Sequence, residues 1–285
     1  MNFPAKLHQA LNQIESLPAI PSVAQKILAL KINSDEGAQE LLELVGKDPA
    51  IMSKVIGLAN SPLFGTGRRI LTLRDAATVL GSRRIMMVAL GFAMMTSMRR
   101  QPAGQLDIQG LWLHSLSVAM TMDSIARLMP ARLRPADDEI YLAGLLHDIG
   151  FLVLDHLDPE LSDHFHARLA ADPDCPVEQV ETEMLETTHG ELGATLGRHW
   201  NLPVSIVTVL NHHHTPSHVH TGSGWPLVNM VNLAEKLLPT FGIAEPVSTT
   251  IAEEEWQSLG IEHFQVDELT AKIQEHIGKI AAMHN

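Results

Sequence analysis

A single cysteine, Cys175, stands among the 285 residues, so no disulfide can form within the chain and a reducing compartment is its natural setting. The stretch from Met1 to Asn12 lacks the basic flank and apolar run of a signal peptide, and no later apolar run is long enough to span a bilayer. The expectation is a soluble cytoplasmic protein with no membrane partner. Basic residues are also in deficit: 20 Lys and Arg face 33 Asp and Glu, for a net charge of −13. Phosphate contacts need a basic surface, so general nucleic-acid binding is not expected. The densest basic residues, Arg83, Arg84, Arg99 and Arg100, fall at helix ends, where solvated or carbonyl-facing charge is the ordinary reading. Alternating β-branched runs bounded by turns are scarce, and no internal repeat or low-complexity segment is evident.

What is present is apolar residues, 45% of the chain, recurring at helical spacing almost throughout, which predicts an all-α fold with a sizeable core. Pro18 and Pro21 fit a helix entry near Ser22, because proline is tolerated in a first turn and breaks a helix further in. Asp48, Pro49 and Ala50 open PAIMSKVIGLAN, whose Ile51, Val55, Ile56 and Leu58 form an apolar stripe. LRDAATVLGSRRIMMVALGFAMMTSM reads as two helices broken near Gly81 and Ser82, with Met86, Met87, Met94, Met95 and Met98 read as core rather than as a partner surface. The polar, Pro- and Gly-containing stretch from Arg99 to Gln105 marks a boundary between residues 1–100 and 105–285. Helices are expected beyond it around Ile108 to Leu128, Asp137 to His156, Pro159 to Ala170, Val177 to Leu185, Gly190 to His199, Val204 to Asn211, Trp225 to Leu238 and Val266 to Met283. The loop from Thr215 to Gly224 is the expected flexible element.

Sixteen histidines are the unusual count, and they cluster after Leu113. In YLAGLLHDIGFLVL, His147 and Asp148 interrupt a run that is apolar on every helical face, so the pair is buried and Asp148 needs a dedicated partner, because an unpaired buried carboxylate is costly. Alone, that pair reads as a satisfied polar network in a helical core. His114, in LWLHSLSVAM, is apolar on its neighbouring positions and faces inward. Thr188 and Glu191 have capping-box spacing, which places His189 in a first helical turn with an accessible imidazole. His212, His213 and His214 end a helix ahead of Pro216, and three consecutive side chains cannot all face one point. Imidazole with carboxylate suits a divalent ion such as iron, manganese, zinc or nickel, and a dinuclear site of this kind has the chemistry for phosphoester hydrolysis.

The segments LPAIPSVAQKILAL, DPAIMSKVIGLANSPLFG, LRDAATVLGSRRI, LWLHSLSVAM, YLAGLLHDIGFLVL, HGELGATLGRHWNLP, VLNHHHTP and VNLAEKLL, in this order from about Leu17 to Leu238, resemble the HDOD family of the HD phosphohydrolase superfamily, relatives of the HD-GYP phosphodiesterases. The resemblance implies an HD-domain-like helical bundle with an N-terminal helical subdomain, and a bacterial signal-transduction role as an output or regulatory module. Such a module acts through an unidentified signalling protein or domain, or through a nucleotide ligand, without catalysis. The alternative it implies is a metal-dependent phosphohydrolase or phosphodiesterase acting on a nucleotide or cyclic dinucleotide. By motif, the implied metal ligands are His114, His147, Asp148, His189, His213 and His214, with His212 the extra histidine. Glu235 in VNLAEKLL stands where the superfamily usually has an aspartate. A GYP signature is lacking in HTPSHVHTGSGWP, which counts against cyclic-di-GMP hydrolysis.

Overall fold

Side-chain caps decide where many of the helices begin. Ser34, Asp48, Thr72, Asp107, Asp158 and Thr188 each accept a hydrogen bond from a backbone N–H of the first turn, satisfying donors that have no partner within the helix. The computed structural model describes residues 7, 16–61, 64, 67–98, 104–173, 175–218, 222, 224–239 and 249–284. Among these there is no strand, and no single helix is long and apolar enough to cross a membrane. The chain divides into a smaller unit, Ile20–Ser97 with the residues from Ala271 onward, and a larger one built mainly on Met98–Thr270.

The smaller unit contains α1 (Ser22–Leu28), α2 (Asp35–Gly46), α3 (Pro49–Ala59), α4 (Leu73–Leu80) and α5 (Ser82–Thr96). The four others pack against α5, whose Met86, Met87, Met94 and Met95 are all buried, as is Met98 just beyond. These methionines fill core, as their spacing predicts. Gly81 separates α4 from α5 with φ 79°, a left-handed backbone that glycine adopts without strain, and the chain turns by 111° there. Arg84 points back to the Leu80 carbonyl and Arg83 to Asn33 Oδ1, while Arg99 and Arg100 lie outside the described residues. The helix α2 is an addition to the expected elements; its signal is the Ser34 cap followed by Asp35 and Glu36 in the first turn.

The larger unit contains α6 (Ile108–Ala126), α7 (Asp137–Leu146), α8 (Ile149–Leu157), α9 (Pro159–Ala171), α10 (Val177–Met184), α11 (His189–His199), α12 (Val204–His212), α13 (Trp225–Leu237) and α14 (Glu253–Ser258), with the start of α15 (His263–His284). α6 packs on α7 and α13, α11 on α8 and α12, α12 on α13, and α9 on α8 and α10. One helix was expected from Asp137 to His156; instead the chain breaks at His147 and Asp148 and bends by 42°. No proline is involved. Asp148 leaves the helical region, at φ −96° and ψ 14°, and turns the polar pair out of the apolar run on either side. The short α14 was not anticipated either, since its first turn is three glutamates with only Trp256 buried. The loop from Thr215 to Gly224 holds a 3-10 turn at Pro216–His218 and otherwise falls largely outside the described residues.

Two close fits in this unit make measurable predictions. A Cβ on Gly150 would stand 1.8 Å from the carbonyl oxygen of His189, so α8 and the start of α11 meet at a distance only glycine permits. Gly150→Ala is expected to lower stability in urea denaturation by roughly 1–3 kcal/mol or more. Gly57→Ala, on an exposed face of α3 with nothing within 4 Å, should instead raise it by roughly 0.5–1 kcal/mol; equal effects would refute the packing argument. His166 sits between Phe151 and Phe165, with ring centroids 5.6 and 5.2 Å away, and burial pushes its imidazole down to about 4. As pH falls below 6.5 the unfolded chain takes up this proton first, so stability is lost progressively from pH 6.5 to about 4, by roughly 3 kcal/mol at 1.36 kcal/mol per unit. His166→Leu should flatten the stability curve in that window. Parallel curves for the two proteins would show that His166 is not the source.

Candidate metal centre

The break between α7 and α8 brings the first two groups of the site inward. His147 and Asp148 are 0% and 1% exposed. Because α7 ends at Leu146, the Gly144 carbonyl is among its last-turn acceptors without a helical partner, and it takes a hydrogen bond from His147 Nδ1 at 2.9 Å. A carbonyl only accepts, so Nδ1 carries the hydrogen and Nε2 faces the centre. At the end of α12, His213 Nδ1 donates at 3.1 Å to the Val209 carbonyl, which also accepts the backbone N–H of His213. Asn232 on α13 holds the His213 carbonyl from the other side at 3.1 Å.

His189 arrives by a third route. The capping box forms, with Thr188 accepting from Glu191 N–H and the Glu191 carboxylate accepting from Thr188 N–H, so His189 does occupy the first turn of α11. Its imidazole is not accessible, contrary to the expectation from sequence, but 1% exposed. Phe151 of α8 stacks on the ring at 4.3 Å, and the buried Glu181 of α10 accepts from its Nδ1 at 2.6 Å. Capping-box spacing locates a helix start but says nothing about what packs over it. Glu181 was missed in the sequence; its signal is a carboxylate on the apolar stripe of Val177, Val180 and Leu185.

These elements converge on Asp148. Its carboxylate oxygens lie 3.1 Å from His147 Nε2, 3.4 Å from His213 Nε2, 3.5 Å from His114 Nε2 and 3.7 Å from His189 Nε2. Neither oxygen accepts a hydrogen bond of good geometry among the described residues. His114, from α6, is buried as its apolar surroundings predict. Glu235, from α13, is 3% exposed and reaches His147 Nε2 at 3.4 Å, and His214 lies 3.9 Å from its other oxygen. His212 turns away toward Asn211. The ligand atoms form two groups sharing one carboxylate: Asp148, His189, His213 and His214, and His114, His147 and Asp148, each set lying within 4.8 Å of one another.

The electrostatics call for a cation. Burial opposes charge on His147, but Asp148 and Glu235 outweigh it and hold its imidazole well above the usual histidine range. Burial likewise opposes charge on Asp148 and Glu235, yet the surrounding imidazoles hold Asp148 well below the carboxylate range and Glu235 at about 2. On the other side the balance reverses: burial, then the neighbouring His214, pushes His213 down. His189 Nδ1 is held by Glu181 and His213 Nδ1 by the Val209 carbonyl, so the two Nε2 atoms, 3.0 Å apart, need a proton or a metal ion between them. Three imidazoles, a shared carboxylate and an anchored set of tautomers are a donor set a divalent ion fits.

A cleft of about 200 Å³ reaches this centre, lined by Glu178, Glu181 and Glu191 as well as by His189, His212, His213 and His214, with no lysine or arginine among the described residues that line it.

Comparison with known proteins identifies the fold. The HDOD domain matches residues 17–216. Among solved structures, an HDOD domain protein of unknown function from Geobacter sulfurreducens is 25% identical with a TM-score of 0.75, covering 98% of this chain and 96% of its own. A protein of Marinobacter aquaeolei VT8 designated for signal transduction is 24% identical with a TM-score of 0.79, covering 98% of this chain and 64% of its own. An uncharacterised protein of Treponema pallidum is 25% identical over 209 residues, 73% of this chain and 39% of that protein. The chain thus spans less than two thirds of the length of both of these last two. With a domain match over most of its length and an all-helical architecture that superposes on those folds, the chain belongs to the HDOD family.

Proposed function

We propose that this protein is a signal-transduction output module whose HD-type centre holds divalent metal in two ligand groups that share Asp148, for regulation or structure rather than for turnover. The observation that carries the metal half of this reading is the convergence of the His114, His147, His189 and His213 Nε2 atoms on one buried carboxylate, Asp148, with the His189 and His213 Nε2 atoms 3.0 Å apart. When bound, a divalent ion supplies Lewis acidity and a fixed positive charge there. The residues that would hold it are Asp148, His189, His213 and His214 in one group and His114, His147 and Asp148 in the other, with Glu235, a carboxylate longer than the usual aspartate, beside His147 and His214. The regulatory half rests on the cleft. Its three glutamates raise the local concentration of cations and repel the anionic phosphoester a hydrolase must admit. Its occupant is therefore the ion, and the signal passes through a partner protein or domain. A hydrolytic role is the second reading, favoured by the two ligand groups sharing Asp148, the layout of a dinuclear centre.

Elemental analysis of chelator-free protein beside Asp148→Asn and His147→Ala, each checked for folding, separates these readings. Metal in the wild type, lost in both folded variants, with no hydrolysis across nucleotides and cyclic dinucleotides, is the expected result. Metal-dependent hydrolysis abolished by His147→Ala would establish the enzyme instead. Because His147 holds a proton that the ion must displace, metal binding should release protons and weaken as pH falls. Calorimetry in buffers of different ionisation enthalpy measures that release; uptake with no proton released would contradict the assignment of His147 as a ligand.

A further inference from the structure

The two ligand groups are not equivalent, and the difference lies behind His189. Glu181 is 0% exposed, and one of its oxygens accepts both the backbone N–H and the Nδ1–H of His189, each at 2.6 Å. Phe151 covers the ring face at 4.3 Å with an interplanar angle of 23°. The imidazole is thereby fixed at its plane, its backbone and its outer nitrogen, with only Nε2 directed to the centre. Of the three anchored imidazoles, His147 and His213 lean on neutral carbonyls, whereas His189 leans on a carboxylate. A carboxylate partner fixes the tautomer and raises the basicity of the ligating nitrogen more than a carbonyl does. The other Glu181 oxygen is buried and accepts no hydrogen bond among the described residues, and Glu181 is one of the residues around the cleft that leads to His189.

Resting on the metal-centre reading above, we propose that Glu181 is a positioning residue that makes the group of Asp148, His189, His213 and His214 the first to load, with the group of His114, His147 and Asp148 filling second. Its charge acts through His189, whose Nδ1–H it accepts.

The test is titration of the metal-free full chain with cobalt(II), followed by visible absorption, for the wild type, Glu181→Gln, His114→Ala and His213→Ala. Glutamine keeps an oxygen for both His189 donors, so a purely structural role would leave binding unchanged. The expected result is a first step weakened 10–100-fold in Glu181→Gln, with the second step little altered. The His189 Nδ1–H proton resonance of the metal-free protein should also move upfield as its charged acceptor is lost. His114→Ala should keep the first step and lose the second, while His213→Ala loses the first. An unchanged first step in folded Glu181→Gln overturns the proposal and leaves the metal centre standing. Absence of any cobalt binding by the wild type overturns the metal centre itself. Should Glu181→Gln not fold, the two histidine variants still decide the order, and a first step lost in His114→Ala but kept in His213→Ala overturns it.

Discussion

The buried carboxylate of Asp148 is the constraint around which the larger unit is arranged. A lone charge at 1% exposure inside an apolar helical pair would be strongly destabilising. It is retained because imidazoles from α6, the α7–α8 break, α11 and the end of α12 all turn their Nε2 atoms toward it. Those helices are separated widely along the chain, so the polar cluster also ties their packing together. Replacing any one member leaves the others buried and unbalanced.

Helix ends do most of the positioning. His147 and His213 each follow a helix whose last-turn carbonyl takes the Nδ1 hydrogen, and His189 opens a helix through a capping box. Carbonyls at helix ends thus orient His147 and His213, while the Glu181 carboxylate orients His189. The tight approach of Gly150 to the His189 carbonyl brings the α8 and α11 contributions close enough to share one centre. Regular helix through His147 and Asp148 would point the two side chains about 100° apart; the break relaxes that requirement.

The charge of the surroundings shapes what such a centre can do. The chain is acidic overall, and the cleft next to the ligands repeats that sign with Glu178, Glu181 and Glu191. A surface of that kind draws cations and discourages phosphates. On the proposed reading, an ion held among these ligands would favour one packing of the helices that supply them.

Much of this was legible in the amino-acid order. Apolar residues at helical spacing determined an all-helical fold, proline and caps determined most helix starts, and the interruption of YLAGLLHDIGFLVL determined that His147 and Asp148 are buried and need company, because burial of charge has one sign whatever the fold. Tertiary structure decided the rest. The break after Leu146 depends on what α8 packs against, the burial of His189 depends on Phe151 and Glu181 lying over it, and the choice of His213 and His214 over His212 depends on the rotation of α12 about its axis. Most of all, the division of the ligands into two groups sharing Asp148 is a matter of distances among residues spread from His114 to His214, which no local spacing encodes.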